Sequence, residues 1–190
     1  MQRIKTDGLR SGLKYAVPNL SDRPGGDRTI AAQHIHALLP SEPGTYALIL
    51  HCHTAGEQPV GALGQVRTEV GFYIYVGSAL GPGGIRGRVA RHLREAKKPH
   101  WHIDYLRRTM PVTAIWYAET ASVQEHHWAL TIDNWSQAEK LVPGFGASDC
   151  QCESHLFFCS VPPSLPDVRE RLETTEDQTA VVVKSVAMDR

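Results

Sequence analysis

The stretch from Phe72 to Arg94 restricts the fold more than any other part of this 190-residue chain. Phe72 to Gly77 reads FYIYVG, dense in aromatic and β-branched residues, which predicts a central strand. The turn LGPGG stops it. From Ile85 onward the apolar residues Ile85, Val89 and Leu93 recur at a spacing of four. Arg86, Arg88, Arg91 and Arg94 fill the other faces, so the spacing predicts an amphipathic basic helix.

The flanking segments extend this unit. Thr45 to His51 (TYALILH), opened by Pro43 and Gly44, reads as a buried strand, whereas Val60 to Val70 is broken by glycine and fits no single element. Pro99 ends the basic helix, HIDYLRR resumes a short one, and Val112 to Tyr117 reads as a third strand. Ser122 is placed to cap a following helix, with Glu125 three residues later completing a capping box, and that helix is expected to run to about Leu141. Pro143, Gly144 and Gly146 make a loop, and His155 to Val161 reads as a last strand closed by Pro162. This order implies a small mixed sheet with helices packed on it. Residues 1–43 read as a loosely structured extension around one helix-compatible stretch, Thr29 to Leu39. Residues 44–161 form the domain, and 162–190 a C-terminal helix and tail, mobile from Thr174 on.

Composition narrows the functional classes. Twenty Lys and Arg against twenty Asp and Glu give no overall reason to expect a nucleic-acid partner. Distribution says more: from Arg86 to Arg108 eight Lys or Arg face two acids, Glu95 and Asp104, a local excess that would draw a phosphate backbone or simply solubilise that surface. No apolar run reaches the roughly 20 residues that span a bilayer, so the expectation is a cytoplasmic protein with no membrane partner. Four cysteines, Cys52, Cys150, Cys152 and Cys159, are too few for a disulfide framework and read first as buried thiols.

Gly44-Thr45-Tyr46, then Tyr75-Val76-Gly77, then a turn into a helix carrying Arg88 and His92 is an ordered set that resembles the GIY-YIG nuclease superfamily. The resemblance covers about Gly44 to Leu141 and implies an α+β fold, with a small central, mainly antiparallel sheet flanked by helices. It implies a metal-dependent DNA endonuclease: Arg88 stabilises charge on the phosphate, Tyr46, Tyr75 or His92 handles the proton of the attacking water, and Glu125 holds Mg²⁺ or Mn²⁺. The chemistry needs such groups, because phosphodiester hydrolysis calls for a bidentate cation on the phosphoryl oxygens and a hard metal on a carboxylate. Ser78, Arg86, Arg91, Arg94, Lys97 and Lys98 are the nucleic-acid-binding candidates. Thr45 replaces the family's isoleucine, Ser78 stands where repair nucleases commonly have lysine, the two triplets are unusually far apart, and Asn134 comes early for the family's late asparagine. A non-catalytic nucleic-acid-binding module of the same fold, or a metal-binding interaction domain, remains the alternative.

Two further segments, HWHIDYL at 100–106 and GFGASDCQCESHL at 144–156, resemble a poorly characterised branch of that superfamily. His100, His102 and Asp104 alternate, so all three face one way on a strand but only His100 and Asp104 do on a helix; they fit a transition metal or phosphate and helix-end contacts. Cys150, Cys152 and His155 invite a zinc reading, yet Cys-x-Cys with one histidine lacks paired knuckles, which disfavours zinc. Asp149, in the same loop, is a spare carboxylate for a nuclease metal. The glycines of GSALGPGGIRGR lack the Gly-Lys-Ser/Thr of a nucleotide-phosphate loop.

Overall fold

The computed structural model describes residues 37–94, 98–148, 150–173 and 181–188. Its elements are β1 (Gly44–Cys52), β2 (Gly56–Pro59), a 3-10 turn (Gly61–Leu63), β3 (Gln65–Thr68), β4 (Gly71–Ser78), α1 (Gly84–Leu93), α2 (His102–Leu106), β5 (Val112–Glu119), α3 (Glu125–Asp133), β6 (Leu156–Cys159), α4 (Leu165–Glu173) and β7 (Lys184–Ala187). Five strands form one antiparallel sheet in the order β6-β4-β1-β5-β7, and β2 and β3 form a separate hairpin. The expected α+β architecture is what the chain adopts.

β1 lies at the centre, and its period of two divides the core between the two faces of the sheet. Tyr46, Leu48 and Leu50 point to the side that packs with Ile85 and Val89 of α1 and Ile103 and Leu106 of α2. Ala47 and Ile49 point to the other side, against Trp128, Ala129 and Ile132 of α3 and Val168 and Leu172 of α4. A strand covered on both faces has no polar alternation, which is why TYALILH is almost uniformly apolar.

The register of β1 on β4 sets Tyr46 opposite Gly77 and Leu48 opposite Tyr75. A Cβ at Gly77 would stand 2.4 Å from the Tyr46 hydroxyl oxygen, so the glycine is the floor over which the phenol lies. Gly44 has a parallel reason: a Cβ there would meet the Ala118 carbonyl oxygen at 2.2 Å and Ile85 Cδ1 at 2.6 Å. Both glycines of the two triplets are therefore packing requirements.

The starts of β1 and β6 and the ends of β4 and β5 meet at one end of the sheet. Here the turn before α1 docks: Ile85 N–H donates to Glu42 O at 3.0 Å and Arg86 N–H to Pro40 O at 2.9 Å. Gly84, at φ +55°, lets the backbone come so close, since a Cβ would fall 2.1 Å from Ser41 O.

Several expectations are corrected. Residues 39–43, assigned to a loose extension, are bound to α1, and Leu39 is buried; residues 1–36, with most of the Thr29 to Leu39 stretch, lie outside the described residues. The third helix stops at Asp133, because Asn134 caps it and Trp135 and Glu139 leave the helical path to pack on and bridge to β6. Ser122 does not cap it. Gln124 is the N-cap residue, and the Ser122 hydroxyl is held in the preceding turn by Thr120 Oγ1 at 2.8 Å and Gln124 Nε2 at 2.9 Å. Within the region assigned to a tail, Lys184–Ala187 pairs with β5 as a fifth strand.

Gly77→Ala is expected to cost ~1–3 kcal/mol through overpacking. In a Tyr46→Ala background most of that cost should vanish, which urea denaturation of the two single variants and the double variant will show.

Candidate active site

Three buried polar side chains form a chain on the α1 and α2 side of the sheet. The Tyr46 hydroxyl lies 2.7 Å from His92 Nε2, and His92 Nδ1 lies 3.3 Å from Asp104 Oδ1; the three residues are 1%, 1% and 3% exposed. A carboxylate facing Nδ1 favours the proton there, which leaves Nε2 to accept from the phenol. Asp104 itself is fixed by its place as third residue of α2: its Oδ2 accepts from the His100 and Trp101 backbone N–H at 3.0 and 3.2 Å. Burial, then the neighbouring Tyr75 phenol, raises the Tyr46 pKa well above its usual value; Arg88 opposes this, while Glu125 and Asp104 add to it. Tyr75, Arg88 and Glu125 thus all lie within electrostatic reach of one hydroxyl. Tyr75, diagonal to Tyr46 on the sheet, presents its ring edge-on to His92 at 6.1 Å between centroids.

Beside this chain opens a cleft of about 330 Å³ lined by Pro82, Gly87, Arg88, Arg91, His100 and Trp101. The Arg88 and Arg91 guanidinium carbons lie 4.7 and 4.5 Å from the Trp101 ring centre, so one indole orients two cations. Arg91 Nε is buried without a hydrogen-bond partner among the described residues.

The other basic residues divide. Arg86 gives its Nε to Leu39 O at 2.7 Å, and Arg107 is bonded to the His92 and Met110 carbonyls at 3.3 and 3.2 Å, so both hold the fold together. Arg94 and Lys98 are exposed, Ser78 is half-buried at the end of β4, and Lys97 lies outside the described residues.

The two unassigned segments meet each other. His102 Nδ1 accepts from Gly146 N–H at 3.1 Å, and Phe145 packs on both His102 and Tyr75. Burial lowers the His102 pKa, in keeping with a neutral ring that accepts at Nδ1. His100 and Asp104 do not share a helix face as expected, because the helix starts only at His102: Asp104 turns inward to His92, His102 holds the glycine loop, and His100, before the helix, lines the cleft.

Glu125 begins α3, half-buried, with Oε1 2.8 Å from His155 Nδ1 but poorly aligned for hydrogen bonding. On the far side of that ring, Nε2 lies 3.3 Å from Cys150 Sγ, and His126 Nδ1 lies 3.3 Å from Cys152 Sγ. The ligand atoms of His126, Cys150, Cys152 and His155 all fall within 4.8 Å of one another. Burial, with the adjacent Cys150 thiol, pushes the Cys152 thiol up to about 11. Asp149 lies outside the described residues.

A family model described as "Domain of unknown function DUF123" matches residues 45–177. The chain belongs to the DUF123 family. No curated protein and no solved structure matches it. The DUF123 match takes in both triplet tyrosines, Tyr46 and Tyr75, together with the cleft and the thiol–imidazole cluster, but it names no activity. Within this domain, sequence reasoning did not single out Trp101, although an indole next to a basic helix is a signal for stacked guanidinium groups. It also passed over His126, whose only signal is its place beside Glu125.

Tyr73 is held protonated like Tyr46: burial pushes its phenol up to about 12. Because both folded values lie above the unfolded one of 10.0, their contribution to stability is complete below that pH and is lost as pH rises toward the folded values. Tyr46→Phe should therefore flatten the alkaline fall in melting temperature above pH 10, measured against wild type across that range.

Proposed function

We propose that this chain is a metal-dependent DNA endonuclease of GIY-YIG type. The observation that carries the reading is the Tyr46–His92–Asp104 chain set beside a cleft walled by Arg88 and Arg91. A phosphodiester in the cleft would meet two guanidinium groups whose forked donors match phosphoryl oxygens. Arg94 and Lys98, both exposed, add positive charge that would favour a phosphate backbone.

The proton route follows from the pKa direction. A phenol held well above 10 is not the resting base. Tyr46 instead relays: it takes the proton of the attacking water as its own passes to His92 Nε2, and Asp104 stabilises the imidazolium through Nδ1–H. Water attacks phosphorus in line with the leaving oxygen, and Arg88 balances the charge gathering on the phosphoryl oxygens.

Glu125 is the residue that would hold a divalent cation. Its carboxylate is a hard oxygen ligand, half-buried and in electrostatic reach of Tyr46, and one such group with waters suffices for Mg²⁺. A cation held there would supply further charge neutralisation on the phosphate.

One observation favours a second reading. Tyr46, His92 and Asp104 are nearly sealed from solvent, which suits a trio that only ties α1 and α2 to the sheet, leaving the cleft as a non-catalytic nucleic-acid-binding surface. Incubation with plasmid and branched DNA in Mg²⁺ or Mn²⁺ separates the two. The nuclease reading expects nicking that Arg88→Ala reduces by ~10²–10³-fold, as loss of a charge-stabilising donor does. Salt-sensitive binding with no strand cut on any substrate would leave only the binding module. If Arg88→Ala also binds as wild type does, the cleft has no part in either.

A further inference from the structure

We infer that His126, Cys150, Cys152 and His155 form a structural Zn²⁺ site, separate from the carboxylate that would serve catalysis. The ligands come from two places: His126 from the first turn of α3, the others from the loop that leads into β6. The fold, not a local sequence motif, brings the fourth one in.

The geometry suits the ion. Tetrahedral zinc with Zn–S near 2.3 Å and Zn–N near 2.05 Å sets its ligand atoms roughly 3.4–3.8 Å apart. Two of the edges, Cys150 Sγ to His155 Nε2 and His126 Nδ1 to Cys152 Sγ, are already 3.3 Å, and no pair exceeds 4.8 Å. Closing the set takes shifts of an ångström or less, within reach of an exposed histidine and two half-buried cysteines. Two thiolates with two imidazoles select zinc over the hard cations that carboxylates bind.

The surroundings agree. His155 would bind through Nε2 while the Glu125 carboxylate stands at Nδ1, the position from which a carboxylate orients and strengthens a zinc-bound histidine. Cys150, His155 and Glu125 also spell the nucleophile, base and carboxylate of a covalent catalyst. That reading has no use for the second thiol–imidazole pair, whereas a closed four-ligand site requires it.

The site joins segments far apart in sequence that make few other polar contacts. Nearby, Lys140 pairs with Asp133 and Glu153, and Ser154 is bonded to the Val142 and Leu156 carbonyls. These close the loop upon itself and upon the end of α3; at the start of α3 it meets the Glu125–His155 contact, whose poor alignment does not fix the junction. A bound ion would.

Elemental analysis of the full chain purified without chelators should find about one zinc per molecule, as a closed four-ligand site demands. The apoprotein titrated with Co²⁺ should develop the visible bands of a tetrahedral site and a thiolate charge-transfer band. His126→Ala, at an exposed position, should weaken zinc retention against a competing chromophoric chelator by tenfold or more. His127→Ala, next to it but outside the set, should match wild type, and His126→Cys should keep the metal, so that loss through misfolding is told from loss of a ligand. Absence of stoichiometric zinc together with no thiolate–Co²⁺ band, a different stoichiometric metal, or undiminished retention in His126→Ala would overturn the assignment. DNA cleavage plays no part in these readouts, so the site stands or falls independently of the nuclease reading.

Discussion

The register of β1 against β4 governs the rest of the molecule. Placing Tyr46 across from Gly77 gives a large phenol an open lane over the sheet, and its hydroxyl then reaches His92 on α1. His92 in turn meets Asp104, which holds the first turn of α2 through two backbone donors. A shift of the strands by one residue would send Tyr46 to the opposite face and break every later link. Strand pairing, helix docking and polar constellation are thus one cooperative arrangement.

The sequence was legible where a segment's neighbours are close along the chain. β1 and β4 fall within a residue of the hydrophobic runs that announce them, and α1 ends on the last residue of its apolar stripe, because two-sided burial and a four-residue spacing leave unambiguous patterns. The errors came where distant contacts decide. Beyond Asp133 the apolar residues Trp135 and Ala138 still look helical, yet they reach the core from turns, since Glu139 exchanges both backbone hydrogen bonds with Phe158. β7 has a mostly exposed pattern with no alternation, so only its pairing partner reveals it.

The candidate site divides in the same way. Arg88 and His92 could be paired by helical spacing, and Asp104 was visible as a candidate without its direction. Its inward turn depends on a helix start that local alternation cannot distinguish from a strand. The basic run looked uniform in sequence, but Arg86 and Arg107 are spent on backbone carbonyls while Arg88 and Arg91 share an indole. Thr45 has a cost that its codeword in the triplet does not announce: its hydroxyl is fully buried and finds no partner among the described residues.

β7 also changes what the sheet offers to other molecules. Without it, β5 would present a long, flat row of unpaired amides and carbonyls, a template on which foreign strands can grow. The last strand is short, and its Lys184 pairs with Glu119 at 2.6 Å, so the row that takes β5's place is narrower and charged. At the opposite border β6 has four residues, and the Glu139 bridge occupies part of its outer side. Both borders of the sheet, among the described residues, are thus short strands that offer fibrous self-association little to build on.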